Sequence, residues 1–311
     1  MELFRLKRDI PFMRFARSTI FFSIAFIVAA VALLATKGLN LGVDFTGGTV
    51  MELGYPAAAD VPGIRETLAK SGYHDAQVQT FGTSTDVLVR LPVRPEVTSA
   101  QLSEQVLVVL RQAEPQVELR RVEFVGPQVG RELFEDGALA LLVVAIGIVI
   151  YLALRFEWRF AVGAIFATAH DIFIVLGLFS LFQWEFSLTV LAAILAILGY
   201  SVNDTVVVFD RIRENFRKTR MTDVAAIMDN AKTATLSRTI ITSGLTQFMV
   251  LAMLLLGGEV LWGFALALTI GIVVGTYSSV LVASPVVMWL GVSREDFLKP
   301  VKAQADSGAQ V

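Results

Sequence analysis

Gly199-Tyr-Ser-Val-Asn-Asp-Thr-Val-Val-Val-Phe-Asp-Arg-Ile-Arg-Glu-Asn215 is the stretch on which the rest of the chain is read. An almost uninterrupted apolar run, 186–199, leads straight into it. Asn203 and Asp204 therefore arrive late in a membrane-spanning helix, just before it exits at Asp210, Arg211 and Arg213. An ionised, unpaired carboxylate at that depth costs roughly 2.5–3.5 kcal/mol on insertion scales. Such a residue faces protein or water and marks a functional site, the bland alternative being a helix-packing hydrogen bonder. Ser201 lies one helical turn away on the same face.

The chain has 311 residues, of which 55% are hydrophobic and only 17% charged. Its mean hydropathy is +0.66. A soluble domain would not carry several apolar runs of spanning length, so the class is a polytopic helical membrane protein. A net charge of −2 gives no nucleic-acid signal. The absence of Cys excludes disulfides, thiol catalysis and thiolate metal sites, and two His make a His-built metal site a poor expectation. No Walker-type phosphate loop is present. Energy for any work then comes from an ion gradient or a partner.

In chain order, 1–17 is a basic, amphipathic cytoplasmic segment, and 18–36 is a first span, read as an uncleaved anchor because signal h-regions are roughly 7–15 residues long. From 37 to 135 the composition turns polar. Alternation predicts strands over 49–55, 76–81, 86–91 and 117–125, with a Gly82-Thr-Ser-Thr85 turn between the middle pair. Helices are predicted over 60–71, with Asp60 as N-cap, and over 98–113, with Thr98 as cap. The order βαββαβ is the ferredoxin-like split βαβ, an α+β domain between the first two spans. Its joints carry Asp44, Gly47 and Gly48 on one side and Gly126, Pro127 and Gly130 on the other. Turn-making explains both, with Asp44 capping a turn; a hinge for the domain is the alternative.

Five more spans follow, at 136–154, 160–182, 186–209, 239–256 and 261–290, with a cytoplasmic loop at 210–238 and a tail at 291–311. The last is long enough to tilt or to break near Ser284-Pro285. Arg155, Arg159, Arg211, Arg213, Arg217, Lys218, Arg220, Lys232, Arg294, Lys299 and Lys302 all fall on one side, while the turns 183–185 and 257–259 carry no Lys or Arg. Positive-inside then puts both termini in the cytoplasm and the folded domain outside.

Three polar features lie inside the membrane: His170-Asp171 in the third span, Asn203-Asp204 in the fourth, and Arg238 at the start of the fifth. Asp204 and Arg238 lie at neighbouring depths and can form an ion pair if their helices pack, with Thr242 and Thr246 on the Arg238 face. A nearby cation and water favour the ionised acid and burial favours the neutral one, so relative helix motion can drive proton uptake and release. Arg238 can equally snorkel to the interface. His170-Asp171 fits a proton relay and a structural bridge alike. An intramembrane aspartyl protease would need Asp171 and Asp204 to share a water, against their difference in depth.

Val43-Asp-Phe-Thr-Gly-Gly-Thr49, Gly126-Pro-Gln-Val-Gly130, Ala169-His-Asp171, the stretch 200–215, Leu236-Ser-Arg-Thr-Ile240 and Gly263-Phe-Ala-Leu-Ala-Leu268 through Gly275-Thr-Tyr-Ser-Ser279 together resemble the SecF family. These proteins are the smaller membrane subunits of the bacterial SecD–SecF complex of protein export, within the resistance-nodulation-division superfamily. Leu245 stands where the family pattern leads one to expect Thr. The resemblance implies that SecD supplies a complementary six-helix half, and that the SecYEG channel, SecA and YajC are partners in moving a polypeptide. It implies a cycle driven by the proton motive force, with H⁺ as coupling ion and Na⁺ as the alternative. It carries the functional acid onto Asp204 and the cation onto Arg238, and implies neither an enzymatic activity nor a bound cofactor. The competing readings are a half-transporter for small molecules or lipids, and a structural assembly subunit without ion coupling.

Overall fold

The structure, a computed structural model, describes residues 8–81, 83–94, 96–219, 223–293 and 295–297, with the backbone alone at Phe81 and Glu259. Residues 1–7, Gly82, Arg220, Arg294 and most of the expected tail, including Lys299 and Lys302, lie outside this set. Among the described residues, six helical segments are long and apolar enough to cross a membrane.

The first is α1 (Ala16–Thr36), entered through a 3-10 turn at Phe12–Phe15. After it come β1 (Asn40–Leu41) and a single helical turn, α2 (Val43–Thr46). The polar domain then runs β2 (Gly48–Gly54), α3 (Val61–Lys70), β3 (Gln77–Phe81), β4 (Thr83–Leu91), α4 (Ser99–Ala113) and β5 (Glu118–Val125). The remaining membrane elements are α5 (Pro127–Arg155), α6 (Trp158–Phe182), α7 (Leu188–Lys218), α8 (Val224–Leu256), α9 (Gly258–Leu281) and α10 (Ala283–Trp289), with β6 (Glu185–Phe186) in the turn before α7.

In the domain all strand pairs are antiparallel, in the order β3-β4-β2-β5. One sheet face packs Met51, Leu53, Val89 and Leu91 against Leu68 of α3 and Val106 and Leu110 of α4. These side chains are the inward half of each alternation, as a sheet covered on one face requires. Thr98 and Gln101 form a capping box at the start of α4, whereas the Asp60 side chain at the start of α3 accepts no capping bond. Strand β4 begins at Thr83, inside the expected turn. Its β-branched hydroxyl residues prolong the strand, and Thr83 and Thr85 bond to each other at 2.8 Å.

The membrane helices outlast the apolar runs from which they are read. α5 starts at Pro127 rather than 136, because proline at the first helical position needs no N–H partner. The expected loop 210–238 is mostly helix: α7 continues to Lys218, and α8 opens at Val224 with the Asp223 carboxylate accepting from Ala225 N at 3.0 Å. The last span is two helices, broken at Val282. Pro285 clashes with the carbonyl four residues back, at Leu281, where α9 stops.

The domain is tied to the bundle at several points. β1 pairs in parallel with β6, Arg90 of β4 pairs with Glu185, and the Phe45 ring stacks on Phe186 at 5.9 Å. Gly47 sits at φ 73° between α2 and β2. A Cβ there would lie 3.0 Å from the Pro127 Cα and 3.1 Å from the Val125 carbonyl oxygen, so the two joints of the domain are in contact. Gly47→Ala imposes both this crowding and the left-handed backbone, at about 1–2 kcal/mol for the latter alone. The expected result is a lower unfolding temperature for the detergent-purified protein, whereas Gly72→Ala, at an open turn with φ 88°, has only the backbone cost.

Candidate functional site within the membrane bundle

α7 is the most enclosed helix of the bundle and packs on α5, α6, α8 and α9. Asp204 lies sixteen residues from its start at Leu188, about 24 Å along the axis and so within a hydrocarbon core of about 30 Å. It is 6% exposed. Thr239 Oγ1 of α8 donates to its Oδ1 at 3.2 Å, and Ser279 Oγ of α9 donates to its Oδ2 at 2.9 Å. The carboxylate is thus held by two hydroxyls from two different helices.

Of the two readings of Arg238, the direct ion pair is not formed: among the described residues no cation lies within 4.0 Å of Asp204. Successive helical residues are turned by about 100°. Thr239 faces the helix interface, so Arg238 is exposed on the bundle surface. Asn203 is likewise exposed, one step round from Asp204. Thr242 and Thr246 donate to carbonyls of their own helix, those of Arg238 and Thr242, at 3.0 and 2.9 Å.

His170 and Asp171 on α6 are fully buried. His170 Nδ1 and Asp171 Oδ1 are 2.9 Å apart. Oδ2 accepts from Ser201 Oγ of α7 at 2.6 Å and Ser278 Oγ of α9 at 2.7 Å. Ser201, expected beside Asp204, therefore serves Asp171, and the two carboxylates share no donor. Gly271 and Gly275, at small-x-x-x-small spacing, let α9 approach α7: a Cβ on Gly275 would already touch Asp171 Oδ2, at 3.5 Å, and Ser201 Cβ, at 3.6 Å.

Outside this centre, Asp44 Oδ2 accepts from Leu188 N at 2.9 Å, the first residue of α7. It caps a helix in a different segment rather than its own turn, and it satisfies a donor that the helix leaves free. A Cβ on Gly130 would lie 2.8 Å from Gly47 N, so Gly48, Gly126 and Pro127 also belong to this joint. At the other end Arg155 donates to both oxygens of Asp210, at 2.7 and 2.8 Å. Arg213 pairs with Glu157 at 3.2 Å, and Arg211 with Glu214 at 2.8 Å. Beyond α10, the hydrogen bond from Arg159 holds the Asp296 carboxyl below the usual range.

Residues 105–293 match the family described as "Protein export membrane protein SecD/SecF, C-terminal", and residues 32–55 match the "SecD/SecF GG Motif". The protein translocase subunit SecF of Vibrio alginolyticus is 49% identical over 96% of this chain and 95% of its own length. That of Pseudomonas aeruginosa is 46% identical, over 90% of this chain and 91% of its own. This chain belongs to the SecF family. Among solved structures it is similar to the crystal structure of SecDF, a translocon-associated membrane protein from Thermus thermophilus, with TM-score 0.80, 38% identity and 91% of this chain covered. It is also similar to SecDF in a super-membrane-facing form, with TM-score 0.71, 38% identity and 93% covered. The chain spans 39% and 40% of those SecDF chains.

The SecF-family match includes Asp171, Asp204 and Arg238, and the glycine motif includes Asp44, Gly47 and Gly48. Sequence reading missed Thr239, Ser278 and Ser279 as partners of the acids. The available signal was a pair of adjacent serines deep in an otherwise apolar helix. Asp171→Ala leaves Ser201 Oγ and His170 Nδ1 without their recorded partner, at about 1–3 kcal/mol for each unsatisfied group, while Ser278 keeps the Gly275 carbonyl. The expected outcome is a large loss of thermal stability in detergent, with Asp171→Asn losing less because it keeps one acceptor oxygen.

Proposed function

We propose that this chain is the SecF half of a SecD–SecF assembly that uses the proton motive force in Sec-dependent protein export. The observation that carries this reading is Asp204: a carboxylate at membrane depth, buried, and solvated by two neutral hydroxyls without a direct countercharge among the described residues. A salt-bridged acid is locked in its ionised form. An acid held by hydroxyls can exist in both forms, because a hydroxyl donates to a carboxylate and accepts from a carboxylic acid. Arg238 biases the balance from the bundle surface, where the complementary six helices of SecD would pack. A proton bound from one side and released to the other can then drive helix motion, with H⁺ as coupling ion in preference to Na⁺.

The topology that goes with this is an inner-membrane protein with both termini cytoplasmic. The domain, with its ferredoxin-like strand order, stands on the periplasmic side. The Lys/Arg-free turns lie at the domain's end of the bundle, in keeping with the positive-inside rule. SecYEG, SecA and YajC are the expected partners, and the emerging polypeptide is the cargo. Separate donor sets for Asp171 and Asp204 speak for ion coupling over a shared-water hydrolase, so we assign no enzymatic activity.

The test is export into vesicles containing SecYEG and the SecD–SecF complex, with SecA and an imposed proton gradient. Asp204→Asn preserves shape and removes the titratable charge. Gradient-stimulated export is expected to disappear while the complex still assembles; undiminished stimulation would sink the assignment. Arg238→Ala is expected to reduce stimulation without abolishing assembly, measured in the same vesicles.

A further inference from the structure

The adjacent serines of α9 divide the two buried acids between them: Ser278 donates to Asp171 at 2.7 Å and Ser279 to Asp204 at 2.9 Å. Each hydroxyl also has a second acceptor within reach, the carbonyl three residues back. Ser278 lies 3.1 Å from Gly275 O, and Ser279 lies 3.1 Å from Thr276 O. A serine hydroxyl has one proton and can direct it fully at only one of these. Thr239, the other donor to Asp204, has no such second acceptor among its recorded bonds.

We propose that Ser279 is a positioning residue for proton coupling, its hydroxyl turning between Asp204 and the Thr276 carbonyl as the acid loses and gains its proton. This rests on the reading of Asp204 as the coupling acid. The ionised carboxylate only accepts, and takes hydrogen bonds from both Thr239 and Ser279. When a proton binds at Oδ2, an O–H bond forms there and needs an acceptor. Ser279 then turns its own proton to Thr276 O and receives the new O–H at its freed lone pair. No proton leaves the serine; the direction of one contact reverses and the contact itself survives.

The reversal has a mechanical consequence. A serine that donates back into its own helix competes with the backbone for that carbonyl and bends the helix. Ser279 stands just before the break at Val282, and Thr276 is itself tied to Ser243 of α8 at 3.0 Å. The turn of α9 that feels Asp204 is therefore bonded to α8 and lies beside the point where α9 can flex against α10.

The charged and titratable groups around Asp204 come from each packed helix. α8 brings Arg238, on the bundle surface one residue before Thr239. α6 brings Asp171 and His170, reached through Ser278 and Ser201. α9 brings Tyr277, whose ring stacks on His170 at 6.2 Å, and α10 brings none. The acid pair linked through adjacent serines sets the electrostatic background; Ser279 sets the local donor.

The experiment uses the SecD–SecF complex reconstituted with SecYEG and SecA. Ser279→Ala is expected to move the pH midpoint of gradient-stimulated export upward by about one unit, the loss of one hydrogen bond to a charged group. Ser279→Thr keeps a hydroxyl and should keep the wild-type midpoint. Infrared titration of the protonated-carboxyl band that is lost in Asp204→Asn should show the same shift in Ser279→Ala. An unchanged band titration in Ser279→Ala, or an equal shift in Ser279→Thr, overturns the role of Ser279 while leaving Asp204 as the coupling acid. Full stimulation in Asp204→Asn would instead overturn the coupling reading on which it rests.

Discussion

Two carboxylates buried in a helical bundle, neither facing a lysine or arginine directly, set the terms for everything around them. Each must find its hydrogen bonds from side chains, because hydrocarbon offers none. Hydroxyls on α7, α8 and α9 supply them, with His170 beside Asp171. Short hydroxyl side chains reach only if the backbones come close, which accounts for Gly271 and Gly275 on the α9 face that meets α7. Close packing and buried polarity are one requirement here, seen from two sides.

The same helix that carries Asp204 is pinned at both ends. Asp44, from the joint between the first span and the domain, caps its start at Leu188. Arg155, from the end of α5, grips Asp210 beyond its apolar part. Exposed pairs of the latter kind are individually weak. Together with Arg213 and Glu157, however, they fix how α7 leaves the membrane relative to the α5–α6 turn. α7 is a rod held at each tip, with the acid between.

The apolar runs and the two deep carboxylates were legible in the chain, because spanning length and a charge within it are strong one-dimensional signals. The strand alternation and the Thr98 cap were legible for the same reason. Helix ends were not: Pro127 and Asp223 start helices in polar sequence, where hydropathy is silent. The ion pair of Asp204 with Arg238 was one of two readings, and the donor from α8 is the next residue, Thr239. Arg238 carries the charge and draws the eye, but only the helix phase against α7 decides that Thr239 points inward. Ser278 and Ser279 look like filler in an apolar helix until the two acids are seen on either side of it. The pairing of β1 with β6, two residues each and far apart in sequence, has no local signature at all.

The joint at Gly47 and Gly48 invites the word hinge, and its bonds argue for a different use. Both glycines hold positive φ, which gives the chain a sharp turn. The turn is then closed in by Pro127 and Gly130 of α5, the stacked Phe45 and Phe186 rings, the Arg90–Glu185 pair and the Asp44 cap. Free swinging of the domain at this point would break all of these together. A displacement of α7 along its axis, by contrast, would act directly on Asp44, which caps its first residue, and on the β1–β6 pair just before it. The glycines permit the backbones to meet; the contacts they permit are what would carry a movement at Asp204 across the width of the membrane to the domain.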